Sequence, residues 1–245
     1  MGRLYQTLKG LHDVVEAKIK RPEVTARPKA PACPPSNPLA LERYEDIKTN
    51  LLTRQGNGSV KTILFTGTAH GDGCSTTAIN LAAALTRDSQ LKVLLLDANL
   101  RTPSIRAAFG IHDAVALCDL LIGSDDKIRQ ITRVGAGNLY VLPCNGNRSV
   151  PLALFESEQF GQLLRSVREQ FDYVIMDGPP VLDCVESRVL GAKADGVVLV
   201  IASGKTRRQV AARAKKKLEE AGGRILGVVL NRRKFYIPEW VYSRL

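Results

Sequence analysis

Apolar and polar positions follow two periods along this chain. From Lys61 onward, short unbroken apolar runs recur: Ile63-Leu64-Phe65, Leu94-Leu95-Leu96, NLYVLP (138–143), YVIMD (173–177), GVVLVIA (196–202) and ILGVVLN (225–231). Runs of this length without alternation fit strands of a parallel sheet, and Ile63-Leu64-Phe65 is read as a buried one. Between them the apolar spacing becomes helical. Ile79, Leu81, Ala82 and Leu85 follow Ser75, residues 156–169 form a second such segment, and a basic one runs from Thr206 to Ala221. A short helix is expected to begin at Thr102-Pro103-Ser104, and two more within 114–133 (AVALCDLLIG and DKIRQITR). Strands alternating with helices predict an α/β fold of three layers, a doubly wound and mostly parallel sheet.

The sheet pattern is preceded by three other stretches. Residues 1–20 place Leu4, Leu8, Leu11, Val14, Val15 and Ile19 near helical spacing, which predicts an amphipathic helix or a weakly ordered tail. Residues 21–38 hold five prolines from Pro28 to Pro38, so a semi-rigid linker is expected. Residues 39–53 return to a helical pattern rich in charge. The core domain is therefore read as 39–234, followed by an aromatic tail, 235–245, with Tyr236, Trp240 and Tyr242.

Composition narrows the class. A hydrophobic fraction of 44% in 245 residues supports one sizeable core. No apolar run is long enough to span a membrane, and the N-terminus has no secretory signal core. The five cysteines show no CxxC spacing, which points to reduced thiols rather than zinc or a disulfide framework. The net charge of +11 is uneven: Gly204 to Leu245 carries twelve Lys/Arg against three acids. Without a nucleic-acid motif beside it, that charge is read first as a solvated helix or a contact with anionic headgroups, and last as a nucleic-acid surface.

The chemistry gathers at three strand ends. After Phe65, a turn from Gly67 to Gly73 leads into a helix near Ser75, with Thr76 and Thr77 in its first turn. Glycines there let backbone N–H groups converge on an anion, and the helix N-terminus adds partial positive charge. LLLDANLR ends in Asp97, Asn99 and Arg101, and VIMDGPP ends in Asp177 and two prolines. In an open parallel sheet, ligands sit beyond the carboxyl ends of the strands, so all three should face one crevice. A carboxylate there normally holds Mg²⁺, with Ser75 as a hydroxyl ligand.

Thr68-x4-Gly73-Cys74-Ser75, Asp97-x-Asn99-x-Arg101 and Asp177-Gly178-Pro179-Pro180 together resemble the Walker A, Walker A′ and Walker B motifs of the bacterial tyrosine autokinases, P-loop kinases of capsule and exopolysaccharide systems and kin of the MinD/ParA ATPases. The resemblance covers about residues 38–232. It implies ATP or ADP with Mg²⁺, bound by Gly71, Asp72, Gly73, Cys74, Ser75 and Thr76, with Asn231 a candidate for the base. Asp97 and Asp177 would be the catalytic carboxylates and, with Ser75, the metal ligands. It also implies a cytoplasmic protein at the inner membrane, held by a membrane-anchored chain-length or export partner. Self-association in the family uses E-x-x-R-x-x-R on the helix before the first strand; Glu42, Glu45 and Lys48 stand at those positions here.

Three departures fall within the motifs. Cys74 replaces the loop lysine, Asn99 replaces an aspartate, and His70 replaces a proline. The expectation is a catalytically impaired relative that regulates or scaffolds polysaccharide synthesis or export. Two other readings stand beside it: an active autokinase or weak ATPase, and a MinD/ParA-like positioning factor. Asp183 is expected near the crevice or as a helix cap.

Overall fold

The computed structural model describes residues 38–53, 60–87, 90–111, 114, 116–122, 131–135, 137–145 and 152–232. Helix α1 (Pro38–Thr53) precedes strand β1 (Thr62–Gly67) and helix α2 (Cys74–Arg87). Then come β2 (Val93–Asp97), α3 (Ile105–Phe109), α4 (Leu117–Ile122), β3 (Thr132–Val134) and β4 (Leu139–Leu142). The remainder is α5 (Ala153–Glu156), α6 (Glu158–Gln170), β5 (Tyr173–Asp177), α7 (Glu186–Lys193), β6 (Gly196–Ala202), α8 (Arg208–Glu220) and β7 (Ile225–Asn231).

The seven strands form one sheet in the order β3-β4-β2-β5-β1-β6-β7, parallel except for β3. Every residue of β1, β2 and β5 is buried, as their unbroken apolar runs require at the centre of a parallel sheet. Successive residues point to opposite faces and feed two cores. Leu64, Leu94, Leu96 and Met176 pack with Leu164, Leu190 and Leu218 from α6, α7 and α8. Ile63, Phe65, Leu95 and Ile175 pack with Leu81 and Leu85 of α2 and Phe109 of α3. Helices on both faces make the three layers predicted from the pattern.

Some expectations require revision. The stretch read as a second helix within 114–133 ends instead in β3, which pairs antiparallel with β4 through Thr132↔Val141 and Val134↔Leu139. β-branched Thr132 and Val134 suit a pleated edge better than a helix. Pro38 opens α1 rather than closing the linker, a position where its missing N–H costs nothing. Residues 1–20, the linker up to Asn37 and the aromatic tail lie outside the described residues. Among the described residues, no helix is long and apolar enough to cross a membrane.

Helix α1 folds onto the domain. Tyr44, Ile47 and Leu51 pack against the α2 side, and Asn80 Nδ2 donates to Tyr44 Oη at 3.3 Å. Glu45 pairs with Lys48 at 3.0 Å within the helix. Both residues of this pair are half-buried. On α8, Lys215 pairs with Glu219 and Lys216 with Glu220, so part of its charge is neutralised locally.

One polar clamp fixes where β1 starts. Asp195, just before β6, accepts from Thr62 N and Thr62 Oγ1, both at 2.8 Å, from Lys61 N at 3.0 Å and from Arg168 Nη1 at 2.6 Å. Burial raises the proton affinity of this carboxyl, but the hydrogen bonds from Thr62, Arg168 and Lys61 outweigh it, and the net pKa is lowered. A depressed carboxylate pKa gives stability above the unfolded value that is lost as pH falls through the folded one. Asp195→Ala should therefore cost on the order of 2 kcal/mol at pH 7 in urea unfolding. The gap to wild type should narrow progressively in acid.

Candidate phosphate-binding site

The loop between β1 and α2 is shaped by its own side chains. Gly71 and Gly73 adopt φ of 88° and 87°, in the left-handed region that glycine enters without penalty. Asp72 turns its carboxylate inward. Its Oδ2 accepts from Thr68 N at 2.8 Å, Thr68 Oγ1 at 2.6 Å and Ala69 N at 3.0 Å, and Thr206 Oγ1 lies 3.4 Å from Oδ1. The sequence expects Asp72 among the ligand-binding residues. Its side chain is instead spent closing the loop.

Asn231, expected at a nucleotide base, also supports the loop. Its Nδ2 donates to the Asp72 carbonyl at 3.0 Å and its Oδ1 accepts from Arg232 N at 2.8 Å. It packs so closely that a Cβ at Gly73 would overlap its amide. Gly73 is thus required twice, by its backbone angle and by its neighbour.

A cavity of about 330 Å³ opens over this loop. Gly71, Gly73, Cys74, Ser75 and Thr76 line one side. Asn99 and Thr102 line another, with Gly178 and Pro180 beside them. Asn99 and Thr102 bond each other: Asn99 Nδ2 donates to Thr102 Oγ1 at 3.0 Å, and Thr102 N donates to Asn99 Oδ1 at 3.2 Å.

The two carboxylates lie deeper than the sequence expects. Asp97 and Asp177 are partners in the β2–β5 register, and both are fully buried beneath the cavity wall. Asp97 Oδ1 accepts from Asn99 N at 3.1 Å, and Oδ2 from Ser104 N and Ile105 N, each at 3.2 Å. It therefore ties the turn after β2 to the start of α3, because unpaired N–H groups there compete for it. Neither oxygen of Asp177 has a hydrogen-bond partner among the described residues. Burial and the neighbouring Asp177 charge push Asp97 up to about 7. Burial pushes Asp177 up to about 6, against the lowering influence of the nearby Ser75 and Cys74 side chains, which stop short of bonds of ordinary geometry.

This donor set fits a hard divalent cation. A buried carboxylate with free lone pairs lies beneath Ser75, with a second carboxylate alongside. Among the described residues no cluster of three His, Cys, Asp or Glu exists that could hold a metal unaided. Mg²⁺ characteristically needs only one or two carboxylates and completes its shell with water and phosphate. Cys74 brings no positive charge. Burial and Asp177 push its thiol well up, and its Sγ lies 3.9 Å from the Gly178 carbonyl.

Arg101 leaves the crevice and pairs with Glu186 of α7 through Nε at 3.2 Å and Nη2 at 2.9 Å. Asp183 is exposed in the turn before α7, whose N-cap residue is Val185 and has no side-chain cap bond, so Asp183 is not the cap considered from sequence. Sequence reading missed Thr102, Ser104 and Arg232 in the cavity wall. For Arg232 the signal was hidden, because it opens the uniformly basic run Arg232-Arg233-Lys234.

Residues 60–214 match the family model described as AAA domain. The chain is 34% identical over 196 residues to tyrosine-protein kinase YwqD of Bacillus subtilis, covering 80% of this chain and 82% of that one. It is 30% identical over 194 residues to tyrosine-protein kinase CpsD of Streptococcus pneumoniae serotype 4, covering 79% and 84%. Among solved structures, the chimerical protein CapA2B2 superposes with a TM-score of 0.75 at 26% identity, over 91% of this chain and 99% of that one. MinD of Pyrococcus horikoshii, solved with Mg-ADP, shares the fold at 22% identity and a TM-score of 0.59, over 75% and 76%.

The buried pair makes stability depend on pH. Unfolded carboxyls ionise near pH 4, whereas here the native values are about 7 and about 6. Between those limits the native state holds protons that the unfolded chain has lost, so stability falls as pH rises. Asp177→Asn removes this penalty. Relative to wild type, without nucleotide or Mg²⁺, its stability should improve by on the order of 2 kcal/mol from pH 4 to pH 8 in urea unfolding. A constant difference across that range would contradict the assignment.

Proposed function

This chain belongs to the bacterial tyrosine-protein kinase family, and we propose that within it the protein is a catalytically impaired nucleotide-binding regulator of polysaccharide synthesis or export. The observation that carries this reading is the contrast within one cavity. The loop of Gly71 and Gly73 keeps its left-handed geometry, while a neutral thiol stands at the lysine position.

Each residue then has a definite part. Backbone N–H groups from Gly71 to Thr76 face the phosphates at the start of α2. Asp177 and the Ser75 hydroxyl would hold Mg²⁺, with Asp97 behind them as a charged neighbour already bonded to Asn99 and α3. The cation, when bound, neutralises phosphate charge. Asp177 would hold the cation only as an anion, so protonation of that carboxyl competes with it. Cys74 is too short and too neutral to bridge β- and γ-phosphates. Loss of one such donor commonly lowers a rate by about 10² or more. Asn99 offers an amide where a carboxylate base or metal ligand would stand.

The family resemblance supports a membrane-anchored chain-length or export component as partner, with the protein held at the inner membrane through it. A second reading, a weak ATPase or slow autokinase, is favoured by one observation: Asp97 and Asp177 remain paired at the strand ends.

Calorimetric titration with ADP and ATP tests the proposal. Both should bind with Mg²⁺ and weaken about tenfold or more without it. Cys74→Lys should tighten ATP more than ADP, because the added charge reaches the β/γ end. Purified, dephosphorylated protein should form little phosphotyrosine with Mg²⁺ and ATP. Robust autophosphorylation would overturn the impaired reading. No binding near millimolar nucleotide would overturn the nucleotide role and leave a scaffold.

A further inference from the structure

Loss of the loop lysine leaves the phosphates without their usual cation, yet the cavity is not without positive charge. Among the described residues that line it, the arginine is Arg232, and no lysine lines it. Arg232 comes from the end of β7, on the side of the loop opposite the carboxylates. Its position is built into the loop: its N–H donates to Asn231 Oδ1 at 2.8 Å, and Asn231 Nδ2 donates to the Asp72 carbonyl at 3.0 Å. Its Nε lies 4.0 Å from the point where a Cβ on Gly73 would stand.

Two further features mark this residue. Its φ of 55° is the one positive value at a non-glycine residue among those described, a conformation that arginine adopts only when its surroundings impose it. No described residue bonds its guanidinium, whereas Arg101 is engaged in a two-point pair with Glu186. Lys205 Nζ stands 3.8 Å from the Cβ point on Gly71, a second cation beside the loop. A guanidinium over a glycine turn, with its donors uncommitted, suits a phosphate group, which it can bind through two parallel N–H bonds.

We propose that Arg232 provides the positive charge for the diphosphate end of the nucleotide in place of the absent loop lysine, an inference that rests on the nucleotide reading above. The charge arrives from the last strand instead of from the loop itself. Arg232 is thus a ligand-binding residue that no lysine-based motif would reveal.

The experiment is calorimetry on the full chain with Mg²⁺–ADP and, separately, with Mg²⁺ and inorganic pyrophosphate. Arg232→Gln should weaken both by about tenfold or more, and Arg232→Lys should stay within about threefold of wild type. Exposed Arg224, at the opposite end of β7, supplies a charge-matched control, and Arg224→Gln should leave both affinities unchanged. Cys74→Lys should tighten pyrophosphate binding by a larger factor in Arg232→Gln than in wild type, a non-additivity that a merely structural role for Arg232 would not produce. Equal thermal midpoints for the variants and wild type establish folding. Wild-type affinity in Arg232→Gln, or an equal loss in Arg224→Gln, overturns the inference and leaves the nucleotide reading intact. No binding by wild type overturns both.

Discussion

A carboxylate without a donor sets the terms for this site. Parallel pairing of β5 between β1 and β2 carries Asp177 to a fully buried position opposite Asp97. Asp97 is compensated locally by three backbone N–H groups of the following turn. Asp177 has no such compensation. An isolated buried charge is costly, so the group takes up a proton or a cation. Cys74 cannot supply that charge, and Arg101 is turned away toward Glu186. Within the described residues the charge of Asp177 is met only by the nearby Ser75 and Cys74 side chains, and burial raises its pKa to about 6.

The rest of the cavity is rigid by construction. Asp72 closes the loop from within, and Asn231 holds it from the far edge of the sheet. Behind it Gly178 passes so close to β1 that a Cβ would meet Leu64 Cδ1 at 2.7 Å. Ser187 Oγ and Thr66 Oγ1 both donate to the Pro179 carbonyl, so the turn after β5 is pinned on two sides. These contacts hold the wall in place before any ligand enters. That is the condition under which backbone donors act without reorganisation.

Much of the fold was legible because its signals are local. Continuous apolar runs identify β5, β6 and β7 nearly to the residue, and the three strand-end motifs identify the crevice. What escaped reading depends on partners distant in sequence. β3 is a three-residue edge strand whose identity comes from β4, so no periodicity marks it. Asp72 and Asn231 carry polar side chains that suit a ligand equally well. Only the folded neighbours show that each is committed to the protein. The depth of Asp97 and Asp177 was hidden as well, since sequence places a residue at a strand end without giving the height of the wall above it.

The bond from Asn231 to the Asp72 carbonyl joins residues 159 positions apart. Contacts of such separation close late, because a long loop must be ordered before they form. The first glycine turn can close locally through Asp72, but its brace from Asn231 waits until the last strand docks beside β6. During synthesis, chain emerging N-terminus first would carry the loop residues long before their support exists. The outer support of that turn is thus completed only when the last strand is in place.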